Sequence, residues 1–256
     1  MIAAGLDPIA QFELHKIQEL KLGPIDISFT NSSLMMVFTV ALIGLWLLLS
    51  TRKAALVPGR AQSIAEMSYE FIADMIRSTA GKDGLRFFPF VFSLFIFILF
   101  ANLLGMIPFF FTTTSHIIVT FTFAMMVIGL VVVYGVWKNG FGFLKLFWPA
   151  GVPAVLKILL VTPLEIISFL SRPISLSVRL WANMFAGHIL LKLFAGFMIM
   201  MVSAFGVFKG GLAALIPFSL TLALTPLEFL VAFVQAYVFA LLTCVYLSDA
   251  LHPGHH

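Results

Sequence analysis

Residues 175–188 read SLSVRLWANMFAGH, and within this apolar stretch stand a guanidinium, Arg179, a carboxamide, Asn183, and an imidazole, His188. A charged side chain at bilayer depth is costly and marks a functional site by default. The competing reading is an arginine that snorkels, with its stem in lipid and its head at a membrane surface. A second polar set follows on the last apolar segment. Glu228 and Gln235 are seven residues apart, and Tyr246 lies eleven beyond Gln235. At 100° per residue, seven or eleven steps return to nearly the same helix face, so Glu228, Gln235 and Tyr246 form one polar stripe. Thr221 and Thr225 lie close to it. Glu165, Arg172 and Arg179 are also spaced by seven, on a segment that Pro173 is able to bend. These residue types offer a permanent charge, titratable groups and hydrogen-bonding amides. For His188 and Glu228, a buried ion pair holding two helices together stands beside any functional reading.

The elements that position these groups follow from composition. Hydrophobic residues make up 61% of the 256 residues and charged residues only 10%, against about 25% charged in a soluble domain. Long apolar runs, rather than ten-residue alternating segments, point to membrane-crossing helices and not to a barrel. The formal charge of +4 does not indicate nucleic-acid binding, because the basic residues sit in short connections where they set topology. A single cysteine, Cys244, gives no disulfide and no metal cluster. Residues 1–16 lack a basic region followed by an apolar core, so no signal peptide is expected there.

The expected fold is an all-α polytopic membrane protein with five membrane-crossing helical segments and one amphipathic surface helix. Residues 1–29 are a non-spanning lead-in on the outer side, with room for a short surface helix. The first span covers 31–50. Residues 60–80 place Ile64, Met67, Phe71, Met75 and Ile76 on one face and form an amphipathic helix on the cytoplasmic surface, ended by Gly81 and Gly84. Segments 87–111 and 117–137 form a helical hairpin joined by TTTSH. Asn102 is the polar residue of the second span, and an interhelical hydrogen bond is expected of it. Residues 138–153 are a Gly-, Pro- and Trp-rich interfacial loop. Two long segments, 154–208 and 215–251, follow, with Lys209-Gly210-Gly211 as the turn between them. Nine Lys and Arg residues in the connections on one side, against three on the other, put that side in the cytoplasm, the N-terminus outside and the C-terminus inside.

In an antiparallel pairing of the last two segments, Arg179 facing Gln235 has its midpoint at Val207, and His188 facing Glu228 has its midpoint at Phe208. Both fall just before the expected turn. From Arg179 to Phe208 is 29 residues, or roughly 44 Å of helix. Only about 15 Å separates mid-membrane from the surface. An upright pair would push apolar chain into water, so the two helices are expected to tilt far beyond the ~20° usual for spanning helices. Arg179 then stays near mid-depth. Nine residues separate Arg179 from His188, which turns them toward opposite sides of an ideal helix.

At these residues the chain resembles subunit a of F-type ATP synthases, of the mitochondrial and alphaproteobacterial kind. The resemblance rests on RLWANMFAGH at 179–188 and LEFLVAFVQAYVFALLTCVYLSDALH at 227–252, with FANLLGMIP at 100–108 and TPLEIISFLSRPISLSVRL at 162–180 in support. Position 105 is Gly where some relatives carry an acidic residue. The resemblance implies a proton-translocating stator subunit with two offset half-channels, served by carboxylates on a rotating ring of c subunits. Arg179 would be the fixed charge that separates the half-channels and drives the ring carboxylate to ionise. His188 and Glu228 would form the outer-side path, Asn183 and Gln235 would give polar support near Arg179, and Glu165, Ser175 and Tyr246 would line the inner side. Arg172 reads as structural or headgroup-facing, Lys192 as snorkelling outward and His116 as a loop residue. Partners implied are the c ring, b-type peripheral-stalk subunits, other ATP synthase subunits and membrane lipid, with no nucleic acid. No metal and no cofactor are expected. The translocated ion is H+, with Na+ left open because ion choice rests with the ring. The implied location is a bacterial inner membrane, ahead of a mitochondrial one.

The chain has no nucleotide loop of the GxxxxGK[ST] type. HExxH, GxSxG and paired intramembrane aspartates are also missing from the sequence, which sets aside an intramembrane hydrolase. A secondary ion-coupled transporter with a mid-membrane polar site is the alternative of a different class, and the sequence has no convincing internal repeat in its favour.

Overall fold

A computed structural model of the chain describes residues 12–19, 21–22, 25–26, 28–52, 55, 57–107, 110–140, 142 and 157–251. Among these, the α-helices are α1 (Asn31–Thr51), α2 (Arg60–Gly84), α3 (Phe88–Gly105), α4 (Ile117–Asn139) and α5 (Thr162–Leu251), the last preceded by a π-helical turn, Lys157–Val161. Four helical stretches of the described residues are long and apolar enough to cross a membrane: Asn31–Thr51, Arg60–Gly105, Ile117–Asn139 and Leu159–Leu251. The chain is thus helical and polytopic in type. Most of the loop read from 138–153, and the start of the segment read from 154, lie outside the described residues.

The described part of the lead-in forms short antiparallel ladders, β1 (Lys16–Gln18) with β4 (Phe29–Thr30) and β2 (Lys21–Leu22) with β3 (Ile25–Asp26), and residues 1–11, where a short surface helix has room, lie outside the described residues. β2 and β3 flank Gly23-Pro24, residue types that favour reversal over helix. Asn31 fastens this lead-in to the start of α1. Its backbone N–H donates to the His15 carbonyl (3.2 Å) and its Nδ2 to the Glu13 carbonyl (3.1 Å). The Thr30 hydroxyl oxygen accepts from the Ser33 N–H at 3.4 Å, which occupies one of the unpaired donors of the first turn.

The chain divides into two compact units. The first comprises residues 1–41, 98–116 and 180–235. Its core joins Ile98, Ala101 and Asn102 of α3, Thr112 to Ser115 of the following connection, and Leu180, Met184 and Ala232 of α5. Asn102 is fully buried and satisfied on both sides. Its Nδ2 donates to the Ala232 carbonyl at 3.4 Å, the interhelical bond expected of it, and its Oδ1 accepts from the Thr114 hydroxyl at 2.8 Å.

α5 is helical over 90 residues except at Gly206, where φ is 78° and ψ 170°. That backbone conformation is essentially restricted to glycine. The turn expected at Lys209-Gly210-Gly211 is therefore at Gly206, and residues 209–211 are helical, so the expected boundaries at 208 and 215 shift with it. One residue without a Cβ suffices to redirect the chain. Gly210 plays a different part. A Cβ there would collide with the Met201 carbonyl and lie 2.6 Å from the Val202 Cα, so glycine lets the two arms of α5 approach closely.

The second unit comprises residues 42–97, 117–179 and 236–256. In α2 the buried ridge is Ile72, Met75, Ile76 and Ala80, whereas Ile64 and Met67, on the face read from the sequence, stay exposed. α2 breaks at Gly81, where φ is 69°. The Phe71 ring meets Phe95 and Tyr237 at 5.9 and 5.6 Å. Ala236, Ala240, Cys244 and Ala250 are completely buried along α5. Such small side chains allow helices to pack closely without a large hydrophobic contribution, as membrane helices do.

Candidate functional site

In the first unit the two arms of α5 bring His188 and Glu228 together. His188 Nδ1 lies 3.5 Å from Glu228 Oε1, and both residues are buried, at 8% and 7% exposure. That separation is longer than an ordinary N–H···O bond. Among the described residues neither Glu228 oxygen has a hydrogen-bond partner. The approach depends on Gly187: a Cβ there would sit 2.7 Å from Glu228 Oε1. On its other edge, His188 Nε2 is 3.0 Å from the Thr112 hydroxyl, which also donates to the Gly105 carbonyl at 3.1 Å. The Phe12 ring covers Phe185 at 4.9 Å and His188 at 6.5 Å between centroids.

Two cavities meet at this pair. A cleft of about 790 Å³ is lined by Glu13 and His15 of the lead-in, Asn31, Met106, His188 and Lys192. A smaller cavity of about 200 Å³ is lined by Asn183, Gly187, Leu224, Leu227 and Glu228. His188 thus belongs to one cavity and Glu228 to the other, and the 3.5 Å contact between them joins the two. The smaller cavity gives onto exposed side chains of α5, among them Asn183, Ala186, Leu190 and Leu227. Lys192 is exposed at the cleft that reaches His188.

The carboxamides form their own pair: Asn183 Nδ2 donates to Gln235 Oε1 at 2.9 Å. Gln235 is therefore engaged by Asn183, one helical turn along from the Arg179 partner read from the sequence. His116 follows the short 3-10 turn Thr113–Ser115, stacks on Phe111 at 5.1 Å, and burial holds its imidazole pKa below the usual value.

In the second unit, Arg179 and Ser175 are exposed on α5, and Glu165 is half-buried. Among the described residues Arg179 has no ion-pair partner. Arg172 is engaged in the structure, in line with the structural one of its two readings. Its Nη1 donates to Asp249 Oδ2 at 2.9 Å, and its guanidinium lies 4.9 Å from the Tyr246 ring centroid. Tyr246 is buried within this cluster. The C-terminal end of α5 is closed by Asn139 Nδ2 donating to the Ala250 carbonyl (2.8 Å) and Lys138 Nζ to the Leu251 carbonyl (3.3 Å).

The sequence reading missed Thr112, Gly187 and Asp249. Thr112 had a signal, a run of hydroxyls in a connection between two apolar helices. Asp249 also had one, since fourteen residues beyond Gln235 returns close to the same helix face.

A family profile described as ATP synthase A chain matches residues 33–248. The chain belongs to this family. The chain is 64% identical to ATP synthase subunit a of Chelativorans sp. over 97% of this chain and 99% of the relative. It is 62% identical to that of Allorhizobium ampelinum, covering 98% and 99%, and 59% identical to that of Mesorhizobium japonicum over the whole of both. Membership of the ATP synthase A chain family accords with the motif resemblance at 179–188 and 227–252. It also directs attention to charge movement through a membrane rather than to covalent chemistry.

Proposed function

We propose that this chain is the proton-translocating stator subunit of a rotary F-type ATP synthase in a bacterial inner membrane, without a catalytic site of its own. The observation that carries the reading is the contact of His188 with Glu228 between two cavities, one reaching the lead-in and the other giving onto an exposed face of α5. Protons enter the larger cleft past Glu13 and His15, reach the His188–Glu228 pair, and pass through the smaller cavity to a carboxylate on the ring of c subunits. Imidazole and carboxylate titrate as one coupled unit.

Arg179 is the fixed charge between this path and a second one. Its guanidinium stays protonated at any relevant pH. It favours the ionised form of an approaching ring carboxylate, since opposite charge lowers that pKa. A pore open from side to side would dissipate about 2.3 kcal/mol per charge per 100 mV, and a positive barrier prevents it. An exposed arginine without an ion-pair partner among the described residues suits a charge offered to a neighbouring subunit. Glu165, Ser175 and Tyr246 line the inner half-channel. α5 crosses twice, giving five crossings, as a steeply tilted antiparallel hairpin. The N-terminus is outside and the C-terminus cytoplasmic, and b-type stalk subunits and lipid cover other faces. The transported ion is H+.

The test is proton pumping by the assembled complex in vesicles. Arg179→Ala or Arg179→Gln abolishes ATP-driven pumping while the chain remains inserted and assembled. His188→Gln and Glu228→Gln each slow passive proton conduction and shift its pH profile. Normal pumping in both Arg179 variants would refute the mechanism.

A further inference from the structure

The hydroxyl of Thr112 has two neighbours and one proton. At 3.1 Å stands the Gly105 carbonyl, at the end of α3, and at 3.0 Å stands His188 Nε2. A carbonyl only accepts, so the hydroxyl proton goes to Gly105. The Thr112 oxygen is then left as an acceptor toward the imidazole, and Nε2 must donate to it. In a neutral imidazole only one nitrogen carries hydrogen, and the bond made by one nitrogen decides the state of the other. Nδ1, which faces Glu228 Oε1 at 3.5 Å, is therefore the nitrogen with the lone pair.

From this geometry, and resting on the proton-path reading above, we propose that Thr112 is a positioning residue that fixes His188 in the Nε2–H tautomer and confines its proton exchange to Nδ1. Thr112 is buried, at 6% exposure, so water does not compete freely for these bonds. A proton cannot run through the ring from Nε2 to Nδ1, because the Nε2–H points at an oxygen whose own proton is committed to a carbonyl. The step is one-sided. Nδ1 takes a proton from a hydronium ion in the cleft, whose O–H bond breaks as the N–H bond forms, and the ring becomes imidazolium. The Nδ1–H bond then breaks as an O–H bond forms on Glu228 Oε1, and the ring returns to neutral with hydrogen still on Nε2. His188 acts as a proton holder beside Glu228 rather than as a wire between the cavities. The other ionisable groups around it are Glu13, His15 and Lys192, all lining the same cleft. Gly105 belongs to the device, since a Cβ there would lie 2.7 Å from Thr112 Cγ2 and 2.8 Å from its hydroxyl oxygen and would push Thr112 away.

The experiment is solid-state NMR of the assembled membrane sector in lipid vesicles, with ¹⁵N-labelled histidine and the His188 signals assigned by their loss in His188→Gln. Neutral His188 shows a protonated Nε2 and an unprotonated Nδ1. In Thr112→Val, which keeps the shape and removes the hydroxyl, the two tautomers mix and proton conduction falls about two- to tenfold, the range for one lost hydrogen bond. Thr112→Ser restores both. An Nδ1–H tautomer in the unsubstituted protein, or an unchanged tautomer in Thr112→Val, would overturn the proposal. The expected tautomers together with undiminished conduction in His188→Gln would instead overturn the proton-path reading, leaving the tautomer assignment standing.

Discussion

Gly187→Ala adds one carbon atom beside the Glu228 carboxylate. The new Cβ would stand 2.7 Å from Oε1 and 3.1 Å from Cδ. An ordinary C···O contact is about 3.3–3.6 Å, so the carboxylate must recede by roughly 0.7 Å. The carboxylate is already at 3.5 Å from His188 Nδ1, so its seat against the imidazole is lost before any other contact of the helix is touched. Holding the side chain off its preferred rotamer costs about 0.5–1.5 kcal/mol, equivalent to roughly two- to twelvefold in rate. The helix itself does not suffer, because alanine is favoured over glycine within helices by about 0.8–1.0 kcal/mol. Impaired conduction therefore reports the displaced carboxylate and not a failure to fold. The assay is passive proton conduction through the assembled membrane sector in vesicles under an imposed potential, with assembly checked in parallel. Glu228→Asp shortens the side chain and makes room for the methyl group. The double variant Gly187→Ala/Glu228→Asp should conduct better than the product of the two single effects, with a coupling of at least ~0.5 kcal/mol. Unaltered conduction in Gly187→Ala, or strictly additive effects in the double variant, would refute the claim that the position of this carboxylate limits the transfer.

Two further outcomes concern stability, read by thermal unfolding of the purified membrane sector. Arg172→Ala removes the 2.9 Å ion pair to Asp249, whose side chain is only 10% exposed, and should destabilise the chain by up to about 3 kcal/mol, while Arg172→Met with Asp249→Leu should be close to neutral. Gly206→Ala forces a Cβ into a backbone conformation reserved for glycine and should cost about 1–3 kcal/mol. Gly211→Ala, where a Cβ meets nothing within 4 Å, should be neutral or stabilising, and equal losses in both would show that Gly206 is not strained.

The long apolar helices were legible because hydrophobicity summed over about twenty residues is a strong signal, and Asn31–Thr51 and Ile117–Asn139 lie where the runs lie. The juxtaposition of His188 with Glu228 could also be read in advance, because a reversal between two helices fixes which residues face each other. The exact point of reversal could not. Lys209-Gly210-Gly211 has the composition of a turn, yet a single glycine, Gly206, breaks the helix, and Gly210 serves close packing instead. Gln235 bonds to Asn183, a pair that the midpoint arithmetic did not single out. The hydroxyl run marked Thr112 as polar, but its pairing with His188 was out of reach for another reason. It stands 76 residues from His188 in the chain, in a connection without helical periodicity, so no spacing rule links the two. In α2 the sequence located an apolar face but not which part of it is covered: Ile72 and Ile76 are buried, and Ile64 is not.

The larger cleft is assembled from two kinds of structure. Its inner end, at His188, is held on α5 by Thr112, Gly187 and Glu228. Its outer ionisable groups, Glu13 and His15, are exposed and lie on a lead-in of short strands tied to α1 through their backbone carbonyls. Those carbonyl bonds are indifferent to which side chains positions 13 and 15 carry. The charge at the mouth is therefore a free variable. On the proton path proposed above, it can be exchanged to suit an acidic or alkaline exterior, concentrating or repelling protons, while the contacts around His188 stay as they are.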